Sequence, residues 1–116
     1  GMTQTALTAN FTHMLDEQAR HIAYVIKHGL DNGIGALDAS AAAEADWVDT
    51  IHKLARYGQR YYAECTPGYY NNEGKVGEGN GFLTGQYGRG SMAFFQLLAD
   101  WRAAGNMQGL EITRRS

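Results

Sequence analysis

The sequence predicts a mainly α fold: an antiparallel pair of long helices, a third helix, a long glycine-rich loop and a candidate short C-terminal strand. Three observations carry this expectation. Two segments of roughly 20 residues each repeat apolar side chains at about 100° per residue, the period of a helix. A third helical stripe lies near the C-terminus. Between the second and third stripes, residues 66–90 hold eight glycines and the only proline, and they show neither helical nor strand periodicity.

The first helix is expected over about residues 10–28. Asn10 is placed to cap it, its side-chain oxygen meeting an amide that the first turn leaves unpaired. Phe11, Leu15, Ile22 and Ile26 fall within about 60° of one another on the helical wheel, flanked by Met14, Gln18 and Val25. Thr12, Asp16, Arg20 and Lys27 take the opposite face. Gly29 is placed to end the helix.

Leu30 to Ala39 reads as a connector, with turn chemistry at Asp31-Asn32-Gly33. Ser40 then caps a second helix over about residues 40–64, in which Trp47, Ile51, Leu54, Gly58, Tyr61, Tyr62 and Cys65 recur at helical spacing. Two helices of about 30 Å joined by a short loop pair antiparallel. Ser91 caps the third helix, residues 91–104, with Phe94, Phe95, Leu98 and Trp101 as its apolar stripe, and Gly105 stops it. Leu110-Glu111-Ile112 is the candidate strand, and Thr113 to Ser116 reads as a frayed tail. Gly1 before Met2 reads as a residue left by tag removal and is set aside, so that 2–116 form a single domain.

Composition excludes several classes of function. A length of 116 residues with 44% hydrophobic content allows one small core. A net charge of −2 argues against a nucleic-acid module, which would be basic. One cysteine excludes an internal disulfide framework. No apolar run reaches the roughly 18 residues of a spanning helix, and no leader pattern opens the chain, so a soluble, cytoplasmic protein is expected.

Five patterns invite chemistry, and each has a plainer reading. His13, Glu17, His21 and His28 share one side of the first helix, at a spacing that can gather a metal; the plainer reading is a solvated flank with i,i+4 pairing. Gly68 to Lys75 is near a phosphate loop, but five residues separate its glycines and Val76 replaces the hydroxyl that would hold magnesium. Gly79-Asn80-Gly81 with Gly85 misses the dinucleotide fingerprint by one position. Cys65 stands at a helix C-terminus, where the dipole disfavours a thiolate, and reads as a small buried residue. Tyr57, Tyr61, Tyr62, Tyr69, Tyr70 and Tyr87 can line a pocket or simply pack.

With Cys65-Thr66-Pro67-Gly68-Tyr69-Tyr70-Asn71-Asn72-Glu73-Gly74-Lys75 as its most telling stretch, the chain resembles the C-terminal segment of FAD- and NADPH-dependent Baeyer–Villiger-type monooxygenases. Three landmarks recur in order. The first is the helix Leu15 to Ile26, with a carboxylate two residues before Gln18. The second is the quoted loop, whose Asn71, Gly74 and Lys75 match the end of the family's loop. The third is Tyr87-Gly88-Arg89-Gly90, an aromatic helix, and then Asn106-Met107-Gln108-Gly109-Leu110. The resemblance spans about Leu7 to Ile112. Thr66 stands where the best-known branch has a Trp, and Arg89 replaces one of two paired glycines.

The resemblance implies a longer flavoprotein in which FAD and NADPH are held by glycine fingerprints elsewhere, and in which oxygen is inserted beside a carbonyl or delivered to a heteroatom. It implies cofactor-loop roles for Asn71, Gly74 and Lys75, substrate cover by the helices, and no catalytic residue or metal in this chain. Neither fingerprint nor the family's catalytic arginine is present, so the chain alone is expected to be inactive and to hold no cofactor. It then reads as an excised piece or a reading frame truncated at Met2, partnered by the rest of the flavoprotein or by another copy of itself. The alternative is a free-standing helical module that self-associates as a homo-oligomer.

Overall fold

A computed structural model describes residues 2–54, 64, 67–68, 73–75 and 85–115. Among them the chain is mainly helical, with one two-stranded antiparallel sheet. A 3₁₀ turn, Met2–Gln4, precedes helix α1, Phe11–Asp31; strand β1, Ile34–Ala39, and helix α2, Ala41–Leu54, follow. Helix α3, Ser91–Ala104, and strand β2, Leu110–Arg114, close the order. The second helix was expected to reach Glu64; residues 55–63 and Cys65 lie outside the described residues, as does most of the 66–90 loop.

Packing divides the chain into two compact units, one of residues 1–7 and 47–94 and one of residues 8–46 and 95–116. In the first, Ala6, Ile51, Tyr87 and Phe94 are buried, with Thr5. Tyr87 is tied to the N-terminal segment by a parallel bridge to Ala6, and its N–H donates to the Thr5 carbonyl at 2.8 Å. The Trp47 indole N–H donates to the Thr3 carbonyl at 2.9 Å. Trp47, Tyr87 and Phe94 form one aromatic cluster.

In the second unit, Met14, Ile34, Leu98 and Met107 are buried. Asn10 caps α1 as expected, its Oδ1 accepting from the His13 N–H at 3.0 Å. Gly29 does not end this helix. It lies buried inside it, where an added Cβ would stand 3.3 Å from Leu37 Cδ1. The helix runs three residues past His28, to Asp31, and Asn32 and Gly33 end it: the Asn32 N–H reaches the His28 carbonyl, and Gly33 takes a φ of +62°.

The expected connector contains a strand. β1 pairs with β2 from Ala39 opposite Leu110 to Ile34 opposite Arg114, and a bulge lies between Ile34 and Ala36. The extra residue, Gly35, puts Ile34 and Leu37 on the same side although they are three apart. Simple alternation is thereby hidden in the sequence. The expected strand at Leu110 is present, and Thr113 and Arg114, expected to fray, belong to it. Ser40 caps α2, accepting from the Ala43 N–H through Oγ at 3.2 Å. At α3 the residue ahead of the first turn is Gly90, with φ +85°, whose carbonyl accepts from the Phe94 N–H; Ser91 is already helical.

Candidate functional site

The loop that the sequence singles out is described at its two ends. The Glu73 N–H donates to the Gly68 carbonyl at 3.0 Å, so the chain leaves at Gly68 and returns at Glu73. Glu73 and Gly74 both have positive φ, +55° and +82°. Left-handed backbone costs a side-chain-bearing residue roughly 1–2 kcal/mol, and glycine nothing comparable. A Cβ on Gly74 would also meet Pro67 Cγ at 3.1 Å, so the returning strand of the loop runs close beneath the proline ring. Lys75 follows on the exposed side. Asn71, Tyr69 and Tyr70 lie outside the described residues. Two of the three expected cofactor-loop residues are thus in a turn that needs glycine at its second position.

The third landmark ends in a turn with a packing role. After Gly105, with φ +66°, Asn106 Oδ1 accepts from the Gln108 N–H at 3.1 Å. Met107 is buried at a φ of +51°, and its carbonyl accepts from Leu110. Gly109, at φ +85°, gives its carbonyl to the Ser40 N–H at 2.8 Å; a Cβ there would press on Ala43 Cβ at 2.9 Å. Trp101 Nε1 donates to the Gln108 carbonyl. Asn106 to Leu110 therefore fastens the start of β2 to the start of α2.

The histidine face of α1 meets α3. His13 packs on Phe95 with ring centroids 4.6 Å apart, and His21 packs on Trp101 at 5.0 Å. Tyr24 donates its hydroxyl to the Arg102 carbonyl at 3.0 Å. Glu17 lies between His13 Nε2, at 3.9 Å, and Arg102 Nη2, at 3.7 Å. Burial first, and the Arg102 guanidinium second, hold the His21 imidazole below its ordinary pKa. His21 Nδ1 and Arg102 Nη1 are buried with no hydrogen-bond partner among the described residues. The face that spacing offered as a metal site is thus an aromatic and ionic seam with a guanidinium in it. No group of three metal-ligating side chains occurs among the described residues.

The pairing of Glu17 with Arg102 was not read from the sequence. The two are 85 positions apart, and only their opposite charge signals them. Of the tyrosines, Tyr87 is described, and it packs; Tyr57, Tyr61 and Tyr62 lie outside the described residues. No helix among the described residues is long and apolar enough to cross a membrane.

Comparison with known proteins gives a consistent answer. The chain is 39% identical over 110 residues to Baeyer-Villiger monooxygenase 4 of Dietzia sp. (strain D5), covering 95% of this chain and 18% of the relative. It is 41% identical over 109 residues to pentalenolactone D synthase of Streptomyces arenae, with 94% and 18% covered. Baeyer-Villiger monooxygenase ATR8 of Stachybotrys chlorohalonatus is 35% identical over 103 residues. The chain is a homologue of one segment of the Baeyer–Villiger monooxygenases. No family model matches it, and no solved structure matches it. The chain spans about 18% of the length of the first two of these relatives. Shared ancestry over nearly the whole chain fits the ordered landmarks: the α1 sequence, the Pro67 to Lys75 turn, and the Asn106 to Leu110 turn.

Proposed function

We propose that this chain is the C-terminal helical part of a longer FAD- and NADPH-dependent Baeyer–Villiger-type monooxygenase, and that it does not catalyse alone. In this reading Asn71, Gly74 and Lys75 belong to a loop that closes near the nicotinamide, and the helices cover the substrate side. One observation carries it: 94–95% of the chain aligns with only 18% of relatives that bear monooxygenase or synthase names.

The residues present agree with a supporting part. A dinucleotide needs a glycine-rich turn between a strand and a helix N-terminus. The only sheet among the described residues is the antiparallel β1–β2 pair, and it opens no such turn. The dinucleotide sites therefore fall to the rest of the longer polypeptide. Bound there, the flavin supplies oxygen activation at the expense of the nicotinamide. What this chain brings is a turn at Glu73-Gly74 that lets backbone approach a ligand closely, and beside it Lys75, a donor suited to a phosphate or amide oxygen. A closing loop of this kind excludes water and completes a site assembled elsewhere.

The test compares two proteins, the 116-residue chain and the longer polypeptide encoded with it. The longer polypeptide is expected to carry flavin and to oxidise NADPH in the presence of a ketone. The 116-residue chain is expected to leave the spectrum of added FAD unchanged. A shifted flavin spectrum with the short chain, or a longer polypeptide free of flavin, overturns the proposal.

A further inference from the structure

The stripe that makes α1 amphipathic faces outward. Phe11, Leu15, Ile22, Ile26 and Leu30 are 63%, 49%, 58%, 56% and 64% exposed. The side turned inward carries Met14 with the half-buried Glu17, His21 and Tyr24. An amphipathic helix in a self-sufficient fold turns its apolar face to the core; this one presents it to solvent along about 30 Å of helix. Ion pairs Asp16–Arg20 and Lys27–Asp31, both on the solvated side, form a polar border along one edge. At its C-terminal end the stripe runs into an open groove of about 330 Å³ between α1 and the two-stranded sheet, lined by Val25, Ile26, Leu30, Ile34, Leu37 and Arg115. An apolar centre with a charged border is the anatomy of a docking surface, and patches of several hundred Å² on soluble proteins are usually functional.

We infer that this stripe and groove seat an apolar element of the rest of the longer polypeptide. The inference rests on the reading of the chain as part of such a polypeptide, and it names the surface through which the two parts join. The occupant follows from length: the chain accounts for 18% of its relatives, so most of a protein of that kind lies outside it and must pack somewhere on it. The face carries no charged residue along its centre and is complete within one compact unit.

The experiment is carbene footprinting read by mass spectrometry, on the 116-residue chain at several concentrations and on the longer polypeptide. Phe11, Leu15, Ile22, Ile26 and Leu30 are expected to label strongly in the short chain. In the longer polypeptide their labelling should fall about fivefold or more, as passage from half-exposed to buried requires. Lys27 should keep its reactivity toward an amine reagent in both. Equal labelling in the two proteins overturns the inference. So does protection in the short chain that grows with concentration, which would make the occupant a second copy, and so does a gene encoding nothing beyond these residues. Flavin absorbance of the longer polypeptide is read separately. Protection without flavin keeps the docking surface and removes the monooxygenase reading; flavin without protection does the reverse.

Discussion

Trp47 lies flat against Tyr87, with ring centroids 5.6 Å apart and planes only 11° from parallel. The indole also reaches back to the Thr3 carbonyl. One side chain of α2 thus holds both the N-terminal segment and the residue that opens the Tyr87-Gly88-Arg89-Gly90 turn. Trp47→Ala removes the stack and the bond together and is expected to cost about 3 kcal/mol, the lower range for a large aromatic. Trp47→Phe keeps a ring and loses only the N–H, for about 1 kcal/mol. Urea unfolding of the two variants checks the order; equal losses would mean that the stack contributes nothing.

Gly88 and Gly90 resist substitution for different reasons. A Cβ on Gly88 would overlap the backbone carbonyl of Leu54, which no side-chain rotation relieves. Gly90 has open space around it, but a φ of +85°. Gly90→Ala is therefore expected to cost about 1–2 kcal/mol. Gly88→Ala should exceed about 3 kcal/mol, because backbone must move. Thermal midpoints give the ranking, and a milder effect at Gly88 would contradict this packing.

His21 makes stability depend on pH. Burial and Arg102 lower its pKa from 6.5, so the folded chain holds it neutral where the unfolded chain binds a proton. Its contribution is complete above about pH 6.5 and declines as the pH falls below that value. Between about pH 7.5 and 5.5 the native chain should lose more of its melting temperature than His21→Gln does. Parallel curves would show that His21 titrates normally.

Gly74→Ala tests the loop. The backbone penalty at φ +82° and the contact with Pro67 Cγ are expected to cost about 1–2 kcal/mol locally. If the loop closes on cofactor in the longer polypeptide, the KM for NADPH or the fraction of NADPH oxidised without product should change more than the melting temperature. A lowered melting temperature with unaltered kinetics would reduce Gly74 to a purely structural residue.

Much of the local structure was legible because it obeys local rules. Asn10 and Ser40 cap, Gly105 stops a helix, and α3 has its expected bounds. What stayed hidden depends on distant partners. Gly29 looked like a stop because glycine ends helices; it is instead where Leu37 needs room. β1 looked like a connector because its bulge breaks the alternation. Amphipathic patterning located α1 correctly, but not the way it faces. For the candidate site, Gly74 and its turn were visible as a glycine in a resembling loop. The seam of Glu17, His21, Trp101 and Arg102 was not, since nothing in one sequence pairs residues so far apart.

The bulge at Gly35 carries a last consequence. Because a single surplus residue is already absorbed by the bulge in β1, insertions there are far less tolerable than replacements. One more residue between Gly35 and Leu37, with no second bulge to absorb it, would point Leu37 away from Gly29 and leave the helix without its buttress. Across related genes, the count of residues separating α1 from α2 should therefore drift more slowly than their chemical identity.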